Sequence, residues 1–111
     1  MSAYKKFTSI ESHPNMDFEI GILDKNGSIT GYHCAIADDG NKIDCADENT
    51  VSFKGNEHGN IFHVDVKSQF SNAEGKAEIY YLTADTLLWI LKAKPAEEYY
   101  LPDTSILVKV R

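Results

Sequence analysis

The chain has no run of basic residues, no long apolar stretch and only two cysteines. Each scarcity closes off a class of function. Eleven Lys and Arg are scattered among seventeen Asp and Glu, giving a formal charge of −6. A nucleic-acid strand therefore meets net repulsion and finds no segregated basic patch for its phosphates. The longest apolar stretch, Leu87 to Leu91, falls far short of the roughly twenty residues of a membrane helix. The opening residues, Met1-Ser2-Ala3-Tyr4-Lys5-Lys6, carry no apolar run behind their lysines, so no secretory signal is expected. The expectation is a soluble, cytoplasmic protein with neither a membrane nor a nucleic acid as direct partner. No CxxC or HxxxH spacing offers a metal site, and no P-loop or dinucleotide fingerprint is present. Gly55-Asn56-Glu57-His58-Gly59 reads as a turn without the helix that would hold a phosphate. No cofactor is expected, and repeats, linkers and low-complexity tracts are missing too.

What the chain does have is alternation. Its 111 residues, 42% hydrophobic and 25% charged, suit one domain with one core. Phe7 and Ile10 are expected to form a short helical or irregular lead-in ended by Pro14. From Asp17 onward, period-two patterning dominates. Phe18, Ile20 and Ile22 share one face of a strand. Pairing through a three-residue loop, Lys25-Asn26-Gly27, sets Phe18 against Cys34, Ile20 against Tyr32 and Ile22 against Thr30. A two-residue Asn26-Gly27 turn would instead set Ile20 against His33, and the apolar-to-apolar register is the one expected. Val51 and Phe53 mark a short strand halted by Gly55 to Gly59, and Phe62, Val64 and Val66 alternate with polar residues. Ala77, Ile79 and Tyr81 pass through a turn at Ala84-Asp85 to Leu88 and Ile90, with Tyr80 facing Trp89 and Leu82 facing Leu87. Thr86 to Ala93 is read as a strand because its length and flanking turns fit a meander. Ile106, Val108 and Val110 share a face of the last strand, which is placed to close the sheet. About eight short strands at about ten-residue spacing give an all-β, mostly antiparallel single domain over residues 1–111. Its architecture is a β-sandwich or a lipocalin-like small barrel.

Cys34 and Cys45 lie at equal distances from Asp39-Gly40, which marks a hairpin with the two opposite each other. A tight two-residue turn makes them a hydrogen-bonded pair, whose β-carbons are too far apart for a bridge. Two neighbouring buried thiols on an apolar face are therefore expected, and such thiols are inert. A zinc reading built on His33, Cys34, Cys45 and His63 fails because adjacent strand residues point to opposite faces. Carboxylate pairs such as Asp38-Asp39 and Glu97-Glu98 are sequence neighbours, not groups converging across a cleft.

The segments Gly75-Lys76-Ala77-Glu78-Ile79-Tyr80-Tyr81-Leu82, Leu88-Trp89-Ile90, Tyr99-Tyr100-Leu101-Pro102 and Ile106-Leu107-Val108 resemble a pattern of small bacterial β domains. These include lipocalin-like barrels and immunity proteins of contact-dependent growth inhibition systems. The resemblance implies a protein that binds a toxin domain and covers its active site, several such toxins being nucleases. The acidic residues Asp38, Asp39, Asp44, Asp47, Glu48 and Glu57 are then expected to gather on one rim, mimicking phosphates for a basic toxin domain. Tyr80, Tyr99 and Tyr100 are expected as anchors. On this reading the protein is no enzyme. The rival readings are a carrier of a small apolar ligand and a secreted inhibitor of lysozyme-like enzymes, the latter requiring an oxidised Cys34–Cys45 pair.

Overall fold

The computed structural model describes residues 4–10, 16–37, 40–47 and 49–110. Pro14, Asp38, Asp39 and Glu48, which carry parts of the sequence reading, lie outside the described residues. Nine strands follow in order: β1 (Lys5–Ser9), β2 (Met16–Lys25), β3 (Ser28–Ala37), β4 (Lys42–Cys45), β5 (Phe53–His58), β6 (Ile61–Lys67), β7 (Glu74–Thr83), β8 (Thr86–Ala93) and β9 (Thr104–Lys109). All strand pairings are antiparallel. The order β2-β1-β9-β8-β7-β6-β5-β3, with β3 pairing back to β2, closes a barrel. The architecture is thus a small closed barrel, and closure removes the sheet edges that invite aggregation.

β2 occupies one edge of β3 along its whole length, from Lys25↔Ser28 to Met16↔Ala37. The other edge is shared: β5 pairs with Ser28–Gly31 and β4 with Cys34–Ala37. β4 and β5 therefore act as one barrel strand interrupted by an outward excursion between Ala46 and Ser52. Ala46 N–H donates to the His33 carbonyl at 2.8 Å, and Ser52 N–H donates to the Gly31 carbonyl at 2.8 Å.

The interior is filled by side chains, as expected for a barrel of this strand number. Trp89 is fully buried, edge-on to Phe18 at 5.1 Å and to Phe53 at 6.2 Å between ring centroids. Its Nε1–H donates to the Pro102 carbonyl at 3.1 Å, which satisfies the one polar atom it buries. A β-carbon at Gly31 would overlap the Phe53 ring, so glycine there lets the largest core side chains fit.

Several sequence expectations are corrected. The lead-in is a strand: Phe7 is fully buried, and β1 pairs with both β2 and β9 to complete the ring. Its partner β9 lies at the other end of the sequence, so local patterning carried no sign of that pairing. The β2–β3 turn is the two-residue form, with Asn26 at φ 53° and Gly27 at φ 83°, both left-handed as a type I′ turn requires. That register sets Ile20 against His33 and Ile22 against Gly31; His33 enters the core because it finds polar partners there. β5 runs through Gly55 to His58, and the break comes at Gly59, φ 67°. Irregularities in the β7–β8 pairing shift it so that Ile79 faces Trp89 and Tyr81 faces Leu87. In β9 the inward residue is Leu107, leaving Ile106 and Val110 exposed.

Candidate functional site

Three strands give the outer wall around β3 its character. Cross-strand neighbours put Asp17 beside Ile36 and Ile36 beside Ile43 in one row, with Glu19 beside Cys34 and Cys34 beside Cys45 in the next. Period-two alternation turns all six side chains outward, because Phe18, Ala35 and Asp44 between them are buried. The centre of the wall is apolar: Ile43 is 52% exposed. Its edge is acidic. Thr8, Asp17, Phe18, Glu19, Cys34 and Ile36 line a shallow cleft of about 300 Å³ beside it.

Cys34 and Cys45 form a disulfide, with Cα atoms 3.9 Å apart. This reverses the expectation of free, buried thiols. The Ala46-to-His33 bond makes residue 33 a hydrogen-bonded position, so Cys34↔Cys45 is a non-bonded, close pair. The parity changed because four residues, not two, link Ala37 to Lys42. Cys34 is also only half-buried and Cys45 is exposed.

The excursion that follows Cys45 is braced at both ends and within. Asp47 Oδ1 accepts from Asn49 N–H at 2.9 Å and from the Thr50 hydroxyl at 3.1 Å. Thr50 N–H donates to the Asp47 carbonyl at 3.0 Å. Asp47 is exposed and Val51 is 53% exposed. At the far end, Ser52 Oγ accepts from His33 N–H at 3.0 Å and lies 2.7 Å from His33 Nδ1.

Behind the wall lies a sealed polar knot. Asp44, fully buried, accepts from His33 Nε2 at 2.8 Å, the Ser68 hydroxyl at 2.5 Å, Gln69 N–H at 2.6 Å and Tyr100 N–H at 3.2 Å. One carboxylate thus ties β4 to β3 and to the β6–β7 and β8–β9 connections. Burial pushes its pKa up, but the bonds from His33, Ser68 and Gln69 outweigh that and hold it at about 2. An ionised carboxylate only accepts, so His33 Nε2 carries a proton.

Ser52, His33 and Asp44 are the residue types of a hydrolytic triad, in the reverse arrangement. In such triads the acid bonds Nδ1 and the serine bonds Nε2; here Ser52 meets Nδ1 and Asp44 meets Nε2. Ser52 is 3% exposed and the other two are fully buried. The arrangement braces three chain segments and offers no accessible nucleophile.

Of the nine residues expected to bind a partner, Asp38, Asp39 and Glu48 lie outside the described residues, and the other six do not converge. Asp44 faces inward and leaves the surface, because its four donors are inside. Glu57 sits at the other end of β3, its N–H bonded to the Gly27 carbonyl at 2.8 Å; at about 3.3 Å per residue that end lies about 25 Å from Ile36. Tyr80 projects from β7, and its hydroxyl donates to Glu78 at 2.6 Å. Tyr99 packs against the core. Tyr100 lies over the barrel end, with its ring 4.8 Å from that of Phe70 and its hydroxyl bonded to Glu98, which lifts its pKa to about 12. Of the acidic set, Asp47 stays by the wall. Asp17 and Glu19, which sequence reading passed over, join it there; their signal was alternation with Phe18 and Ile20.

A second cleft, about 350 Å³, lies on the β5–β8 wall between His58, His63, Lys76 and Glu78. Four of its groups are already paired, His63 Nδ1 lying 3.3 Å from Glu78 and Lys76 Nζ 2.7 Å from Asp65, and Lys92 lines it as well. Among the described residues no group of three or more His, Cys, Asp or Glu is placed to hold a metal ion. Compared with family models, curated proteins and solved structures, the chain matches none.

Proposed function

We propose that this protein is a non-enzymatic inhibitor that covers the active site of a basic partner protein, in the manner of an immunity protein blocking a nuclease toxin. The observation that carries the reading is the β3 wall: an exposed apolar centre at Ile43, edged by Asp17, Glu19 and Asp47. Binding surfaces are commonly built this way, with a desolvated centre setting lifetime and a charged rim setting encounter rate. The bonds among Asp47, Asn49 and Thr50 support it too, since contacts already made before binding reduce the ordering cost on binding. The packed interior speaks against the carrier alternative, because Trp89 and its aromatic neighbours occupy the space a ligand would need.

A second reading has its own support. The Cys34–Cys45 disulfide favours an oxidising compartment, and with it an inhibitor of a lysozyme-like enzyme, also a basic protein. Two partners separate the readings: a nuclease-type toxin domain encoded beside this gene, and a lysozyme-type enzyme. Association of the cognate partner is expected to slow at least tenfold when Asp17, Glu19 and Asp47 become lysine. If the charge-reversed protein associates at the same rate, with the same salt dependence, the site is wrong. If neither enzyme is bound or inhibited, the function is wrong.

A further inference from the structure

Ring closure pairs both edges of every described strand except β4, which ends the strand order and has β3 as its one neighbour. The parity of that pairing shows where its free groups point. Ala46 N–H bonds to the His33 carbonyl, so Ala35↔Asp44 is a hydrogen-bonded pair, while Ile36↔Ile43 and Cys34↔Cys45 are not. The N–H and C=O groups of Ile43 and Cys45 therefore point away from β3. Among the described residues they have no hydrogen-bond partner. Two donors and two acceptors thus stand in a row on a free edge. The strand that carries them is open to solvent: Ile43 is 52% exposed, and Lys42 and Cys45 are exposed too. It is also fastened in place, by the bonds of the Asp44 carboxylate inside and by the Cys34–Cys45 bridge outside.

We infer that the β4 edge takes an extended segment of the basic partner as an added strand, an inference that rests on the inhibitor reading above. In recognition of this kind the main-chain bonds supply affinity and the alternate side chains supply selection. An added strand about 4.8 Å from β4 continues the cross-strand rows of the acidic wall. One row runs Asp17, Ile36, Ile43 and the next Glu19, Cys34, Cys45. The residue of the segment that falls beside Ile43 is then apolar, because cross-strand neighbours on one face pack together. Charge sets which end of the segment is basic. Asp47, two residues past Cys45, is exposed, and so is Lys42 at the other end of the strand. A lysine or arginine of the segment is drawn to the Asp47 end and repelled from the Lys42 end. A second copy of this chain brings its own charge of −6 to the same place, which makes it a poorer occupant than a basic segment.

Amide hydrogen exchange of the full chain, followed residue by residue by NMR, tests this without a variant. In the free protein the Ile43 and Cys45 amides are expected to exchange at least about tenfold faster than those of Asp44 and Ala46, which bond to β3. The nuclease-type toxin domain encoded beside this gene and a lysozyme-type enzyme are then added in turn. Whichever binds is expected to slow the Ile43 and Cys45 amides at least about tenfold. Ile43→Pro removes an N–H that points off the edge and breaks no bond to β3. It is expected to weaken the complex about fivefold more than Ile43→Ala does, roughly the worth of one hydrogen bond. The exchange rates decide alone if Ile43→Pro does not fold. Slow exchange of both amides in the dilute free protein overturns the inference, since the edge is then covered. Protection that grows with the concentration of the chain by itself overturns it in favour of a second copy. A partner that binds while both amides stay fast overturns the added strand and leaves the inhibitor reading standing. Binding of neither enzyme removes both.

Discussion

Replacing Asp44 by asparagine is the sharpest test of how this barrel is held together. The shape survives, but the charge and half of the acceptor capacity go. Asparagine keeps one carbonyl oxygen and presents an NH₂ where the second carboxylate oxygen was. Oδ1 serves His33 and Gln69, and Oδ2 serves Ser68 and Tyr100, so one orientation leaves His33 Nε2–H and Gln69 N–H facing a donor, and the other leaves Tyr100 N–H facing one and forces the Ser68 hydroxyl to turn and accept. Each such donor costs about 1–3 kcal/mol. With incomplete additivity the loss is about 3–5 kcal/mol, a large part of the 5–15 kcal/mol typical of a domain. In a chain of this length that lowers the melting temperature by about 15 °C. Trp89, the single tryptophan and fully buried, reports unfolding in urea by its fluorescence.

The same residue predicts an acid limb. Its folded pKa is lowered from 3.8 to about 2, so its contribution is complete above about pH 5 and is lost as pH falls towards about 1. The full loss is about 2.5 kcal/mol, of which about 1.8 kcal/mol falls between pH 4 and 2, and Asp44→Asn is expected not to show it. A variant within 1 kcal/mol of wild type, or one with the same loss between pH 4 and 2, would refute the reasoning.

Reducing the Cys34–Cys45 bridge, which closes a sequence separation of 11, is expected to cost about 3 kcal/mol by loop-closure entropy. Paired melts with and without a thiol reductant check it, and a cost under about 1 kcal/mol would mean the hairpin is held without the bridge. The buried Tyr81 hydroxyl has no hydrogen-bond partner among the described residues, so Tyr81→Phe is expected to leave stability unchanged or raise it by up to about 1 kcal/mol. A clear loss in the same urea assay would show that the hydroxyl is bonded after all.

Local signals carried much of the strand plan. The Asp39-Gly40 hairpin placed Cys34 opposite Cys45 and Ile36 opposite Ile43, as the structure has them. Alternation placed Phe62, Val64 and Val66 inward, and Thr86–Ala93 is the strand its flanking turns suggested. What failed was parity. A one-residue difference in a turn or an irregularity in pairing flips every following side chain, and the β2–β3 and β7–β8 pairings each turned on such a difference; in β3–β4 the register held and only the hydrogen-bonding parity changed. The acidic set was grouped by closeness in sequence, while Asp17 and Glu19 reach the wall through pairing with β3.

The sequence by itself determined the class of structure, because period-two patterning and turn residues act over a few positions and need no distant partner. It also determined the −6 charge. Only tertiary structure decided that Phe7 closes the ring and that Asp44 lies inside while Asp17 lies outside. Those outcomes depend on which strands meet and in what register. A buried carboxylate is stable only where donors from several distant segments arrive together, and no local stretch of chain specifies that meeting.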